Sequence, residues 1–309
     1  MIYTVTLNPS LDYLLTLDSL SLGALNRSTS DHFLAGGKGI NVSQVLTTLG
    51  VPSSAFGFTG GFTGREVERL LQKACISTNF ISVEGETRVN VKLRAAEETE
   101  VNAAGPIIDS LRFEKLKAQV KNLGIHDVLV LSGSIPSSLP EDTYEQFARL
   151  CSKSGIRFVV DAEGTSLMKT LPFRPFLIKP NHHELGEMVG AEVSSLQDAV
   201  KHAKTLVHLG AEQVIVSLAG DGAVYVSESL SLIANAPKGT VQGSVGAGDS
   251  MVAGFLAALE KDEPIEQAFK LSIASGSATA FSDRLCTQQQ VDALLPQVVV
   301  KPLEGGNGQ

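Results

Sequence analysis

The sequence predicts an α/β protein: a doubly wound, mostly parallel sheet flanked by helices, with a small β-sheet lid. Short apolar β-branched runs recur along the chain, as strands covered on both faces require. Helical patterns lie between them, and two segments break the rhythm by alternating at period two.

Tyr3-Thr-Val-Thr-Leu7 is the first central strand. Leu11, Tyr13, Leu15 and Leu17 then alternate as a half-buried strand of the separate, smaller sheet. Val42, Val45, Leu46 and Leu49 follow the i, i+3, i+4, i+7 spacing of a helix that Gly50 stops, and Val67, Leu70 and Leu71 mark a second helix after Gly64. Val89, Val91 and Leu93, interleaved with Arg88, Asn90, Lys92 and Arg94, form a second lid strand. Its polar set shares one face, so Arg88, Asn90 and Lys92 are placed to line a pocket; Arg94 reads as a solvated residue. Further central strands follow at Val128–Leu131, Phe158–Val160, Phe176–Ile178 and Val214–Val216. The resulting division puts 1–8, 31–86 and 105–303 in the core and 9–30 and 87–104 in the lid. The glycine-rich tail 304–309 is expected to be disordered.

Composition excludes several classes. A 309-residue chain with 43% hydrophobic and 19% charged residues can bury a sizeable core, unlike a disordered or fibrous one. The formal net charge of −8 gives no general attraction to nucleic acid or anionic lipid. The N-terminus lacks a signal-peptide pattern and no apolar run is long enough to cross a bilayer, so a cytoplasmic protein is expected. Cys75, Cys151 and Cys286 lack metal-ligand or disulfide-framework spacing and read as reduced core thiols.

Four motifs carry chemistry. Gly243-Ser-Val-Gly246-Ala247-Gly248-Asp249-Ser250 leads into a helix marked by Met251, Val252, Phe255, Leu256 and Leu259. Its small residues let backbone N–H groups approach a ligand, and the helix N-terminus favours an anion there. Asp249 is either a first-turn helix residue or a base for proton abstraction. Ala35-Gly-Gly37-Lys38-Gly39-Ile-Asn41 is a second glycine-rich helix start. It is no P-loop, because Gly39 follows Lys38 and His32 stands where that motif needs glycine; Val42 spoils a dinucleotide fingerprint. Lys38 and Asn41 suit a phosphorylated or polyhydroxylated ligand.

Lys179-Pro-Asn181-His-His-Glu184 follows a central strand at the end where parallel sheets bind ligands, and Asn181 and Glu184 are suited to orient a hydrated Mg²⁺. The adjacent histidines are expected to point apart, which disfavours zinc. Ser217-Leu218-Ala219-Gly220-Asp221-Gly222 alone reads as a hairpin turn.

In this order the motifs resemble the PfkB carbohydrate kinase family of the ribokinase-like superfamily, from Met1 to about Val300. The resemblance implies ATP with Mg²⁺ as phosphoryl donor and a sugar or sugar phosphate as acceptor. It implies that Asp249 is the base, that the Gly246, Ala247 and Gly248 amides form an anion hole, and that Asn181 and Glu184 organise metal and phosphates. Lys179, Gly248 and the run Ser217, Leu218, Ala219, Gly220, Asp221 and Gly222 would hold the nucleotide. Asp12, Gly37, Lys38 and Asn41 match positions that bind sugar hydroxyls, and Arg27, Arg88, Asn90 and Ser134 match positions that hold a substrate phosphate. Thr87–Leu93, Thr99-Glu-Val-Asn102 and Gly105-Pro106 look most like the members that phosphorylate fructose 1-phosphate; those acting on tagatose 6-phosphate or fructose 6-phosphate are the alternative. A sugar-phosphate sensor on a kinase scaffold is the non-enzyme alternative. The lid resembles those through which this family forms dimers, so a homodimer is expected.

Overall fold

The computed structural model describes residues 1–162 and 164–303, so the expected disordered tail lies outside the described residues. In chain order the elements begin with strands β1 (Ile2–Thr6), β2 (Ser10–Thr16) and β3 (Ser30–Gly36), helix α1 (Lys38–Thr48), β4 (Ser53–Thr59), α2 (Gly61–Lys73), β5 (Ser77–Ser82), β6 (Arg88–Arg94) and β7 (Glu98–Val101). Next come α3 (Ser110–Lys121), β8 (Val128–Ser132), α4 (Thr143–Ser154), β9 (Arg157–Asp161), α5 (Gly164–Met168), β10 (Leu177–Ile178), α6 (His182–Val189) and α7 (Leu196–His208). The chain continues through β11 (Gln213–Ser217), β12 (Ala223–Ser227), β13 (Ser231–Ala234), α8 (Ala247–Leu259), α9 (Ile265–Ala280), α10 (Gln288–Leu294) and β14 (Val300–Pro302).

A ten-stranded sheet has the order β14-β13-β12-β11-β10-β9-β8-β1-β4-β5. The strands from β11 through β5 are parallel, and β12, β13 and β14 extend the sheet antiparallel. Successive side chains alternate faces, which divides the core in two. Val5, Leu129, Leu131, Phe158, Val160 and Val216 pack under α3, α4 and α7, while Ile2, Val128, Val130, Val159 and Ile215 pack against α1, α8 and α9. Leu131 is fully buried, and Leu131→Ala would remove about 2–5 kcal/mol of stability.

Helix α8 is buried without interruption from Asp249 to Ala258. Its close approach to α9 requires Gly254, where an added Cβ would lie 2.6 Å from Ser275 Oγ and 2.7 Å from the Leu271 carbonyl oxygen. The small sheet has the order β3-β2-β6-β7, with β2 parallel to β6 and the outer pairs antiparallel.

Several details differ from the sequence reading. The small sheet extends past residue 30, because β3 pairs with β2 from Ser30↔Thr16 to Gly36↔Ser10. Glycine at 36 is needed there, since a Cβ would lie within 2.6 Å of the Asp12 carboxylate. Strand β2 buries Leu11 and Leu14, leaving Tyr13 and Leu15 only half-buried. Tyr13 stacks on Phe33 with ring centroids 4.4 Å apart, on a face the core does not cover. Cys151 and Cys286 are buried thiols, but Cys75 is exposed, in a turn at φ 60° after α2. Among the described residues no helix is long and apolar enough to cross a membrane.

Candidate active site

Five parallel strands of the large sheet end on one cavity of about 1550 Å³. Thr6, Ser132, Asp161 and Ser217 are the last residues of β1, β8, β9 and β11, Lys179 follows β10, and all five line it. The small sheet supplies the facing wall through Ser10, Asp12, Arg88, Asn90 and Lys92. A ligand in this cavity would therefore lie off the carboxyl ends of the strands, where open α/β sheets bind.

Two helices open onto the cavity through glycine. Gly37 precedes α1 at φ 121° and Gly246 precedes α8 at φ 79°, and neither helix start has a side-chain cap. Their first N–H groups and positive dipole ends are left for an anion. Gly39 lets α1 close on β1, since a Cβ there would lie 2.6 Å from Thr6 Oγ1. At Gly248 an added Cβ would lie 2.9 Å from Lys179 Nζ, so the missing side chain makes room for the ammonium group.

Asp249, in the first turn of α8, is only 4% exposed, and one of its oxygens accepts a 2.8 Å hydrogen bond from Asn41 Nδ2. Burial, reinforced by the nearby Asp161 carboxylate, pushes the Asp249 carboxyl up to about 7 against the pull of Asn41, Lys38 and Lys179. Asp161 is itself buried and ion-paired with Lys179 at 3.3 Å.

Across the cavity, Asp12 accepts hydrogen bonds from Ser10 Oγ at 2.6 Å and Asn90 Nδ2 at 3.1 Å. Lys92 Nζ lies 3.3 Å from Asp12 and 3.4 Å from Glu100. Its charge is thus already matched within the small sheet. Arg88 donates to the Ala103 carbonyl at 3.3 Å, but its Nε is buried without a partner. Burial pulls its guanidinium below the usual arginine range, partly offset by Asp12. Thr6 Oγ1, Ser132 Oγ and His182 Nδ1 are likewise buried, unpaired and on the cavity wall. Such groups are stabilised by a polar ligand that completes their hydrogen bonds.

Asp12, Gly37, Lys38, Asn41, Arg88, Asn90, Ser134, Lys179, Asn181, Glu184, Ser217, Ala219, Gly220, Gly222, Gly246, Ala247, Gly248 and Asp249 all line the cavity. Three expected residues do not. Arg27 is exposed in the link between β2 and β3, the Leu218 side chain turns into the core at 3% exposure, and Asp221 faces outward. Within Ser217–Gly222, Leu218 packs inward and Asp221 faces solvent, so Ser217, Ala219, Gly220 and Gly222 reach the wall.

Asn181 and Glu184 form a capping box for α6: Asn181 Oδ1 accepts from the Glu184 N–H at 2.9 Å, and Glu184 Oε2 accepts from the Asn181 N–H at 2.7 Å. The His182 and His183 rings, expected to diverge, instead pack with centroids 3.9 Å apart. No group of three or more His, Cys, Asp or Glu among the described residues is arranged to hold a metal.

Sequence reasoning missed Asp161, Glu100, Tyr144 and the wall formed by Ala236, Pro237, Val241, Ala280 and Phe281. Asp161 carried one signal, an acid ending the apolar run Phe158-Val-Val160 at the ligand-binding end of a strand. Tyr144 donates from its hydroxyl to the Gly133 carbonyl at 2.8 Å, fixing the loop that carries Ser134.

A family model described as pfkB family carbohydrate kinase matches residues 5–290. The chain is 51% identical over 303 residues to a 1-phosphofructokinase of Bacillus subtilis (strain 168), covering 98% of this chain and 100% of that protein. It is 33% identical over 304 residues to a D-tagatose-1-phosphate kinase of Bacillus licheniformis, covering 98% and 100%. The structure of phosphofructokinase-2 from Escherichia coli in complex with substrates and products superposes with a TM-score of 0.91 at 30% identity, covering 96% of this chain and 98% of that one. With its glycine-led helix starts and buried aspartate at the ends of the parallel strands, this chain belongs to the pfkB family of carbohydrate kinases.

Proposed function

We propose that the protein transfers the γ-phosphoryl group of ATP to the C6 hydroxyl of fructose 1-phosphate, giving fructose 1,6-bisphosphate and ADP. The observation that carries the reading is Asp249: a buried carboxyl with its affinity for protons raised to near neutrality, beside the uncapped start of α8. Asp249 accepts the proton of the C6 hydroxyl, that oxygen bonds to the γ-phosphorus, and the bond to the β–γ bridging oxygen breaks to leave ADP. Asn41 aims the carboxylate, and the N–H groups at Gly246, Ala247 and Gly248 stabilise charge on the transferring group.

Asp12, with Asn90 holding it, accepts from sugar hydroxyls, and Lys38 offers them a cation. Arg88, with its unpaired Nε, takes the substrate phosphate together with Ser134. Ser217, Ala219, Gly220 and Gly222 hold the nucleotide, and the wall of Ala236, Pro237, Val241 and Phe281 offers an apolar slot for its base. Lys179 balances the triphosphate. Glu184 keeps one oxygen outside the capping box, enough to hold Mg²⁺ through water; the metal, when bound, neutralises phosphate charge. The small sheet excludes water from the transfer.

The small-sheet face opposite the cavity leaves Phe33 46% and Val101 59% exposed, and we assign it to a homodimer contact, measurable by sedimentation. Arg27 would then serve a substrate only from a neighbouring copy. The test of function is ADP release with Mg·ATP against fructose 1-phosphate, tagatose 1-phosphate, tagatose 6-phosphate and fructose 6-phosphate, ranked by kcat/KM. Dominance of fructose 1-phosphate supports the reading; dominance of a 6-phosphate sugar keeps the kinase and overturns the acceptor.

A further inference from the structure

Arg94 ends β6 at the tip of the small sheet, where strand alternation alone makes it a solvated residue. The structure ties it down. Its Nε donates to Glu98 Oε1 at 3.1 Å, one terminal nitrogen donates to the Asp283 carbonyl at 2.8 Å, and the other lies 3.6 Å from the Asp283 carboxylate. The contact joins the two walls of the site: Lys92, two residues before Arg94, and Phe281, two before Asp283, both line the cavity.

The segment it grips supports the turn before α8. Leu285 Cδ2 lies 2.7 Å from where a Cβ on Gly246 would stand. The Cys286 N–H donates to Thr279 Oγ1 at 3.0 Å, Thr279 Oγ1 and Ser250 Oγ are 2.7 Å apart, and Ser250 Oγ donates to the Gly246 carbonyl at 2.8 Å. A connected path of packing and hydrogen bonds therefore runs from the tip of the small sheet to the start of α8. In addition, Glu98 Oε2 lies 3.9 Å from the position a Cβ on Gly243 would take, so the same tip sits near the segment leading into that turn.

We infer that Arg94 is a positioning residue that couples the placement of the small sheet over the cavity to the order of the Gly246–Gly248 turn. It lies outside the cavity wall and acts through Asp283 and its neighbours. The donor is charged, and Glu98 fixes the guanidinium's aim, so the link is stronger than a neutral surface hydrogen bond.

The inference rests on the kinase reading for its kinetic arm only; a second arm is independent of activity. Wild type, Arg94→Met and Arg94→Lys are compared as full chains, with fructose 1-phosphate kinetics and amide hydrogen exchange without ligands. Arg94→Met, which keeps the apolar stem, should raise KM for the sugar phosphate and lower kcat by about tenfold each, with KM for ATP within about twofold of wild type. Exchange should quicken about tenfold in 244–248 and 282–286 while β8 and β9 keep wild-type rates. Arg94→Lys should recover part of both effects. Wild-type kinetics with wild-type exchange in Arg94→Met would overturn the coupling, as would a uniform rise in exchange across the core. A wild-type chain inactive with every sugar phosphate would remove the kinase reading, leaving the exchange pattern to decide the coupling.

Discussion

Helices α6 and α8 both start on the cavity wall, yet they treat their first N–H groups in opposite ways. The start of α6 is closed by its own side chains, Asn181 and Glu184 bonding reciprocally at 2.9 and 2.7 Å. The start of α8 is opened by Gly246 at φ 79° and has no side-chain cap. A capped start is worth about 1 kcal/mol to the fold on its own. An open start surrenders that stability and keeps oriented donors for a ligand, and beside this one lies the buried Asp249. The contrast separates a helix start whose N–H groups its own side chains satisfy from one whose N–H groups are left for what the wall encloses.

The largest test of that contrast is Asp249→Asn, expected to lower kcat by about a thousandfold while leaving nucleotide affinity near wild type. Unchanged turnover would remove Asp249 from the base role. The same variant should melt at a higher temperature than wild type at pH 8 and lose that advantage toward pH 5. The sign follows from the carboxyl, raised in the folded state to about 7. Between the ordinary carboxylate range and that value the folded chain binds the extra proton, so stability falls as pH rises through the window, and asparagine removes the fall.

Gly246→Ala comes next. Alanine is strained at φ 79° and its Cβ would overlap Leu285, so kcat should drop about a hundredfold as the turn's donors lose their aim. Retained kcat would show that these donors do not carry transition-state charge.

The pH dependence of kcat/KM sharpens the comparison further. For wild type it should rise to a plateau above about pH 7 as Asp249 loses its proton. Asp161→Asn removes a neighbouring negative charge and should move that midpoint to lower pH; an unmoved midpoint would mean another group governs the profile.

The smallest effect is Asn181→Ala, which should cost about 1 kcal/mol in a denaturant titration with little change in kcat. A loss of activity larger than the loss of stability would break the contrast, because α6 would then also present its start to the ligand.

What was legible in the sequence was local. Gly243–Ser250 and Gly36–Asn41 each carry their chemistry within one turn of chain, and β8, β9 and β11 announce themselves as unbroken apolar runs. What escaped depends on pairing across distance. Strand β4 is buried throughout, yet its sequence Ser-Ser-Ala-Phe-Gly-Phe-Thr lacks the β-branched run that marked its neighbours. Asp161 looks like any acid at a strand end until Lys179 is brought to 3.3 Å, a spacing set by strand order. Lys92 was legible as a pocket-lining residue but not as an ion-paired one, because Asp12 and Glu100 reach it only through pairing of β6 with β2 and β7. Arg27, matched by position alone, lies off the cavity wall because the link between β2 and β3 turns it to solvent.

Strand β14 is only three residues long, but it occupies the outer side of β13, pairing Val300 with Ala234 and Pro302 with Leu232. Among the described residues the sheet ends at β14, and Pro302 has no N–H to offer a further strand. A chain cut after Val298 would leave β13 with unmet backbone donors and acceptors at an apolar margin, a template for intermolecular pairing. Such a shortened protein should keep its cavity residues yet form aggregates, which makes β14 a guard of solubility in the full chain.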